Sequence, residues 1–374
     1  LWYLGKRWLA DPRLGCAYYN WVLFGIGLGV FARLLRGLLP PDGMRRFLLI
    51  LSAGSMFTYH VQAYYGEVFT AVLVGAGVLS VCTRRSAWLG WTAIVLGAVN
   101  TPAAGLAAAM VCLVFTIENR RLRYLIPVLV VGLLSVAESL LHRGGLRTGY
   151  AGDAGNKTVM PYSGLPGFSY PLLLGLLSLV FSIGKGLLFY APALFAPVGR
   201  LLQDRAALRE AFRVWLVFLI GLMVVYAKWW GWQGGEFWGP RYVLFASVPA
   251  SFALALHLGE RRTIAHSSMT LVMLTLSVWI AADGALFGQE NEGICAANGY
   301  QLEHLCWYVP EFAAWIRPFI VGRALTKQEW IFAAVYAAVY VYLSAPHFVF
   351  LARAIASRGE AAIRRALEWR AWGI

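Results

Sequence analysis

Charge is scarce in this chain. Of 374 residues only 13% are Asp, Glu, Lys or Arg, against roughly 25% in a soluble globular domain. A water-exposed fold is therefore excluded, because too little ionised surface is available to cover it. Acidic residues are scarcer still, 18 against 32 Lys and Arg. The formal excess of +14 does not form one basic stripe, so nucleic acid is not a partner. Its cations sit mostly in short loops between apolar runs, as the positive-inside rule predicts. Anionic lipid headgroups are their expected company.

Cysteine is limited to five residues and histidine to six. No CxxC pair and no histidine spacing of metal-ligand type occurs, which removes zinc modules and thioredoxin-like sites. Cys16, Cys82 and Cys112 lie in or beside apolar runs as lipid-facing or core thiols. Cys295 and Cys306 share a polar loop and can pair if it faces an oxidising compartment. The chain also lacks a dinucleotide fingerprint, a Ser/His/Asp arrangement, tandem repeats and low-complexity segments. Without internal pseudo-symmetry or many polar residues inside the apolar runs, a transporter is disfavoured. The first residue is Leu, and no signal sequence precedes it. A natural start further upstream, with one or more additional membrane helices, is expected.

Apolar sequence, by contrast, is abundant: 60% of residues are hydrophobic and the mean hydropathy is +0.63. The apolar runs are long and do not alternate, which predicts an all-α, polytopic transmembrane bundle with interfacial helices. One domain is expected over 1–374. Residues 1–15 are its interfacial entry, 16–351 its membrane helices, and 352–374 a basic amphipathic tail on the surface.

The predicted runs are Asn20–Leu35, Phe47–Tyr59, Val68–Val81, Leu125–Leu141, Leu187–Val198, Val214–Val225, Val243–Leu256, Ser268–Leu286 and Trp330–Leu351. Trp88–Ile117 is too long for one span and breaks at Asn100-Thr101-Pro102. Leu172–Phe181 reads as a helix lying against the surface. The more basic face of this zigzag is the cytoplasmic one. The other face collects the long loops: His60–Glu67, Asn100–Pro102, His142–Tyr170, Ser182–Gly186, Lys228–Tyr242 and Gly288–Pro310.

Among these, Lys228–Tyr242 (KWWGWQGGEFWGPRY) stands out. Four tryptophans at membrane depth make an ordinary interfacial belt. A belt does not call for Gly231, Gly234, Gly235 and Gly239, nor for Arg241 at the start of the next helix. Glycine lets backbone approach a ligand closely, and Arg grips phosphate with two parallel donors. A ligand site is favoured over a pure anchor.

Carboxylate, cation and aromatic ring together suit a sugar linked to phosphate. A carboxylate takes a proton from an acceptor hydroxyl, cations hold the leaving phosphate, and rings pack on sugar or prenyl chain. Glu67 is the best acid, since it begins an apolar helix where water is scarce. Glu236 is a weaker candidate, and Glu138 is an intramembrane carboxylate able to snorkel. Lys185 sits between two glycines in SIGKG, which lacks the spacing of a nucleotide phosphate loop. It can hold a lipid phosphate or anchor to headgroups. Lys228 is a further cation, and Tyr65, Trp230, Trp232 and Tyr242 are candidate platforms.

Several stretches resemble the GT-C class of membrane glycosyltransferases, especially bacterial members related to protein mannosyltransferases and the lipid A aminoarabinose transferase. They are FARLLRGLLP, MFTYHVQAYYGEVFTAVL, LGAVNTPAAGLAA, RTGYAG, LLLGLLSLVFSIGKGLLFYAPALFA and YAKWWGWQGGEFWGPRYVLFASVP. The SxGKGLLFYAP and WWGW…GPRY segments are the most specific, and the resemblance covers roughly Asn20 to Pro249.

The resemblance implies transfer of a glycosyl unit from a polyprenyl-phosphate donor to a glycan, lipid or protein acceptor. The setting would be the extracytoplasmic face of a bacterial inner membrane. It places Glu67 beside the active site and makes Arg241 and Lys185 phosphate contacts. No cofactor is implied for certain, and a divalent metal is left open. The family's principal acid lies in the first outer loop. Here the one early acid, Asp11 in LADPRLG, does not match that motif. Either the base lies upstream, or this copy is a non-catalytic subunit of a larger membrane complex.

Overall fold

The structure is a computed structural model, and it describes residues 12–145, 150, 159–160, 165–235, 237–261, 263–288, 299 and 301–371. Helix α1 (Pro12–Leu35) opens the bundle, followed by α2 (Pro41–Ala53) and the single turn α3 (Phe57–His60). Next come α4 (Gly66–Cys82), α5 (Ala87–Val99), α6 (Pro102–Asn119) and α7 (Ile126–Arg143). Helix α8 (Leu172–Phe181) and the turn α9 (Leu187–Tyr190) lead to α10 (Ala206–Lys228). The chain continues through α11 (Ser247–His257), α12 (Ile264–Leu286), the turn α13 (Leu305–Tyr308) and α14 (Lys327–Ala371).

Six helices among the described residues are long and apolar enough to cross a membrane. The core helices α4, α10 and α11 bury most of their residues, and all of α11 is buried. Helices α7 and α14 keep many large apolar side chains exposed, as lipid contact requires. The chain is an integral membrane protein with an all-α bundle.

The break expected at Asn100-Thr101-Pro102 is present. Thr101 caps α6 by accepting from the Ala104 amide at 3.2 Å, and Pro102 occupies the first turn, where its missing N–H costs nothing. Helices α4 and α5 pack back to back. A Cβ on Gly77 would lie 2.7 Å from the Gly90 carbonyl, and one on Gly90 equally close to that of Gly77. Small residues let backbones touch where lipid offers no hydrophobic driving force.

Two expectations need correction. Leu187–Val198 is not a continuous run of helix: α9 ends at Tyr190, and 3-10 turns follow at Pro192–Phe195 and Gly199–Leu202. Pro192 and Pro197 interrupt the helical ladder. Leu187, Tyr190, Ala193, Val198 and Leu202 are buried, so the irregular backbone is shielded by protein. The tail does not begin a separate element at 352. Helix α14 runs unbroken for 45 residues, about 68 Å at 1.5 Å per residue. It therefore outruns a hydrocarbon core of about 30 Å. The entry segment 1–15 is helical from Pro12 onward.

Hydrogen bonds gather the two sets of loops at opposite ends. At the arginine-rich end, Arg85 donates to the Arg33 and Arg36 carbonyls and Arg213 pairs with Glu118. At the other end, Asn20 donates to the carbonyls of Ala63 and Tyr65, at 2.6 and 3.0 Å. There the Tyr170 amide meets the Lys228 carbonyl at 3.1 Å, and the Gly184 amide meets that of Trp307 at 2.9 Å. The described parts of the loops singled out by sequence share this end.

Candidate functional site

The tryptophan-rich loop is wound around Lys185. Gly234, Gly235 and Gly239 all adopt positive φ, 79°, 75° and 68°, a region open to glycine at little cost. The resulting coil turns three carbonyls onto one ammonium. Lys185 Nζ donates to Gly235 O at 3.0 Å, to Gly239 O at 3.1 Å, and to Phe237 O. The side chain is 4% exposed. The glycines thus bring backbone close to a cation of the protein itself. An ammonium has three donors, and all three meet loop carbonyls here. Ser182 holds the other side of the turn, donating to Trp307 O at 2.6 Å and accepting from the Lys185 amide.

Arg241 is placed differently. It leads the 3-10 turn Arg241–Ala246 that runs into α11, and its Nε lies 3.8 Å from Glu67 Oε1 in the first turn of α4. The two side chains are 20% and 16% exposed. The guanidinium lies over three rings, 4.5 Å from the Phe237 centroid, 4.7 Å from Tyr242 and 5.8 Å from Tyr65. Of its five N–H donors, one meets an acceptor within hydrogen-bond distance among the described residues, the Tyr242 hydroxyl at 2.8 Å. Its Nε is buried without a hydrogen-bond partner. A half-buried cation with unused donors, walled by aromatic faces, can take an anion.

Behind this pair stands a wall that the sequence reading did not single out. His60 is fully buried, with its ring against Tyr59, Tyr65 and Trp238, and neither nitrogen has a hydrogen-bond partner among the described residues. Trp238 donates to Asp283 Oδ2 at 2.7 Å. The signals were faint: a histidine in a turn of mixed polarity, and an acid near the end of an apolar helix.

Burial first, then the charges of Arg241 and Lys185, push the His60 imidazole down to about 3. An unfolded histidine titrates near 6.5, so the unfolded chain takes up this proton first as pH falls. Stability supplied by the neutral ring is complete above about 6.5 and declines toward about 3. Thermal melts should therefore fall between pH 7 and 4.5. The decline should be shallower in His60→Phe, and equal slopes would show that another group drives it.

Of the residues picked from sequence, Glu67, Arg241, Tyr65 and Tyr242 come together in one cluster. Lys185 lies under the loop, and Lys228 is exposed at the end of α10. Trp232 is 1% exposed, its ring 5.6 Å from that of Trp307, and is therefore a core side chain rather than an open platform. Trp230 is half-buried and packs on Trp229 at 5.3 Å.

Glu236, Cys295 and all of the Arg147–Gly152 motif except Tyr150 fall outside the described residues; Tyr150 packs edge-on against Trp229 with centroids 4.9 Å apart. Cys306 is disulfide-bonded and buried beneath the SIGKG turn. Among the described residues, no group of three His, Cys, Asp or Glu side chains is placed to hold a metal ion. Comparison with known protein families, curated proteins and solved structures returns no match.

Proposed function

We propose that this protein is a membrane glycosyltransferase of the GT-C kind. It would move a sugar from a polyprenyl-phosphate donor to an acceptor at the face away from the arginine-rich loops. The observation that carries the reading is the Glu67–Arg241 pair, half-buried and walled by Tyr65, Phe237 and Tyr242. Glycosyl transfer needs a base for the acceptor hydroxyl and a cation for the departing phosphate, both reaching one site shielded from water.

In this reading the acceptor oxygen attacks the anomeric carbon and Glu67 takes its proton. The bond from that carbon to the phosphate oxygen breaks, and polyprenyl phosphate leaves against Arg241. Aromatic faces hold the sugar. A disulfide at Cys306 and the charge asymmetry support an extracytoplasmic setting for this end; the resemblance to bacterial transferases adds the inner membrane of a bacterium to the proposal.

A second reading rests on Lys185. Its donors are engaged by the protein's own carbonyls, as in a subunit that keeps the fold without turning over a donor. Incubating the purified chain with a radiolabelled polyprenyl-phosphate sugar and a membrane extract separates the two. Release of polyprenyl phosphate with label in an acceptor is expected. Absence of turnover, together with co-purifying stoichiometric partners, favours the subunit.

A further inference from the structure

The arginine-rich end holds a cavity of about 870 Å³ between the α4–α5 turn, the end of α6 and the start of α7. Arg84, Arg121 and Arg123 line it, with Trp88, Trp91 and Tyr124. All three arginines are exposed. None of them forms an ion pair among the described residues, although Glu210 lines the same cavity. Arg123 lies over the Tyr124 ring at 5.3 Å, and three arginines against one carboxylate around a single cavity leave the local potential positive.

The backbone points to the same place. Among the described residues two non-glycine residues have positive φ, Arg84 at 55° and Arg120 at 51°. Arg84 lines the cavity, and Arg120 is the cap of α6 immediately before Arg121. Glycine would adopt either conformation with less strain, yet both positions carry Arg. Backbone held in a sparsely populated region is often tied to a binding or switching role.

Apolar side chains decide what sort of anion fits. Trp88 is 71% exposed and Ile126 57% exposed, and both line the cavity. Trp91, Phe115 and Tyr124 form its aromatic floor, with centroids 5.3 to 6.0 Å apart. An interfacial tryptophan beside basic side chains marks the headgroup level of a bilayer.

We propose that this cavity is a binding site for the phosphate-bearing headgroup of an anionic phospholipid. The phosphate lies among Arg84, Arg121 and Arg123, and the glycerol and upper acyl chain lie against Trp88 and Ile126. Basic pockets between membrane helices take such headgroups. The site stands apart from the Glu67–Arg241 cluster and does not depend on the transferase reading.

The test uses the full chain reconstituted in nanodiscs of equal phosphatidylglycerol and phosphatidylcholine, then transferred to detergent for native mass spectrometry. The wild type should retain one phosphatidylglycerol. Retention should fall at least tenfold in Arg84→Gln/Arg121→Gln/Arg123→Gln. It should be unchanged in a control carrying Arg200→Gln, Arg261→Gln and Arg353→Gln, three exposed arginines elsewhere. Equal loss in the control, or no loss in the cavity variant, overturns the proposal.

Excess inorganic phosphate added in detergent should leave the lipid bound; its displacement would assign the site to a soluble phosphate compound instead. If the triple variant does not fold, a phosphatidylglycerol with a photoreactive headgroup is cross-linked to the wild type. Labelling concentrated in 84–91 and 119–126 upholds the site, and labelling spread over every arginine-rich turn rejects it.

Discussion

Arg241→Ala should reduce sugar transfer by about 10²–10³-fold, the loss typical when one preorganised donor to a developing charge is removed. The protein should stay folded. Arg241 donates one hydrogen bond, to its neighbour Tyr242, and its contact with Glu67 is a single approach at 3.8 Å. Removing these contacts, the cation over three ring faces and the charge beside the Glu67 carboxylate costs roughly 1–3 kcal/mol. Initial rates of polyprenyl phosphate release, beside a thermal melt of the same preparation, separate activity from stability. Arg241→Lys should recover only part of the rate, since an ammonium keeps the charge but not the two-pronged donor geometry. Unchanged turnover in Arg241→Ala would sink the role given to this residue.

Lys185→Met should act on the fold. A methionine of similar length fills the space but leaves the carbonyls of Gly235, Phe237 and Gly239 facing one another without a donor. Each buried acceptor left unmade costs about 1–3 kcal/mol, so a loss of roughly 3 kcal/mol or more is expected. That is a large share of the 5–15 kcal/mol by which a typical protein is stable. A lower melting temperature and altered fluorescence from the tryptophans of the loop would report it. If Lys185 served only to hold a donor phosphate, the melt would be unchanged while the donor KM rose. The two assays together therefore distinguish a positioning residue from a phosphate ligand.

Much of the bundle was legible before any coordinates. Hydrophobic runs mark helices because a backbone in lipid must satisfy its own polar groups, and that rule is local. The break at Asn100-Thr101-Pro102 and the helix at Leu172–Phe181 follow from it. The segment after Lys185 did not, because Pro192 and Pro197 outweigh its hydrophobicity and neighbouring helices make irregular backbone tolerable there. The span in α14 was legible, but its continuation without a break was not.

The candidate site divides along the same line. Sequence by itself determined that Glu67, Lys185 and Arg241 lie in turns or at helix starts at one end of the bundle, since loop order and charge decide which turns share a face. Which of them faces an open site was decided only in three dimensions. Gly234, Gly235 and Gly239 read equally well as room for a ligand or as room for a side chain. The coil they make closes on Lys185 and leaves Arg241 with donors to offer. A residue's partners come from chain segments far away in sequence, and only packing brings His60, Trp238 and Asp283 together behind the Glu67–Arg241 pair.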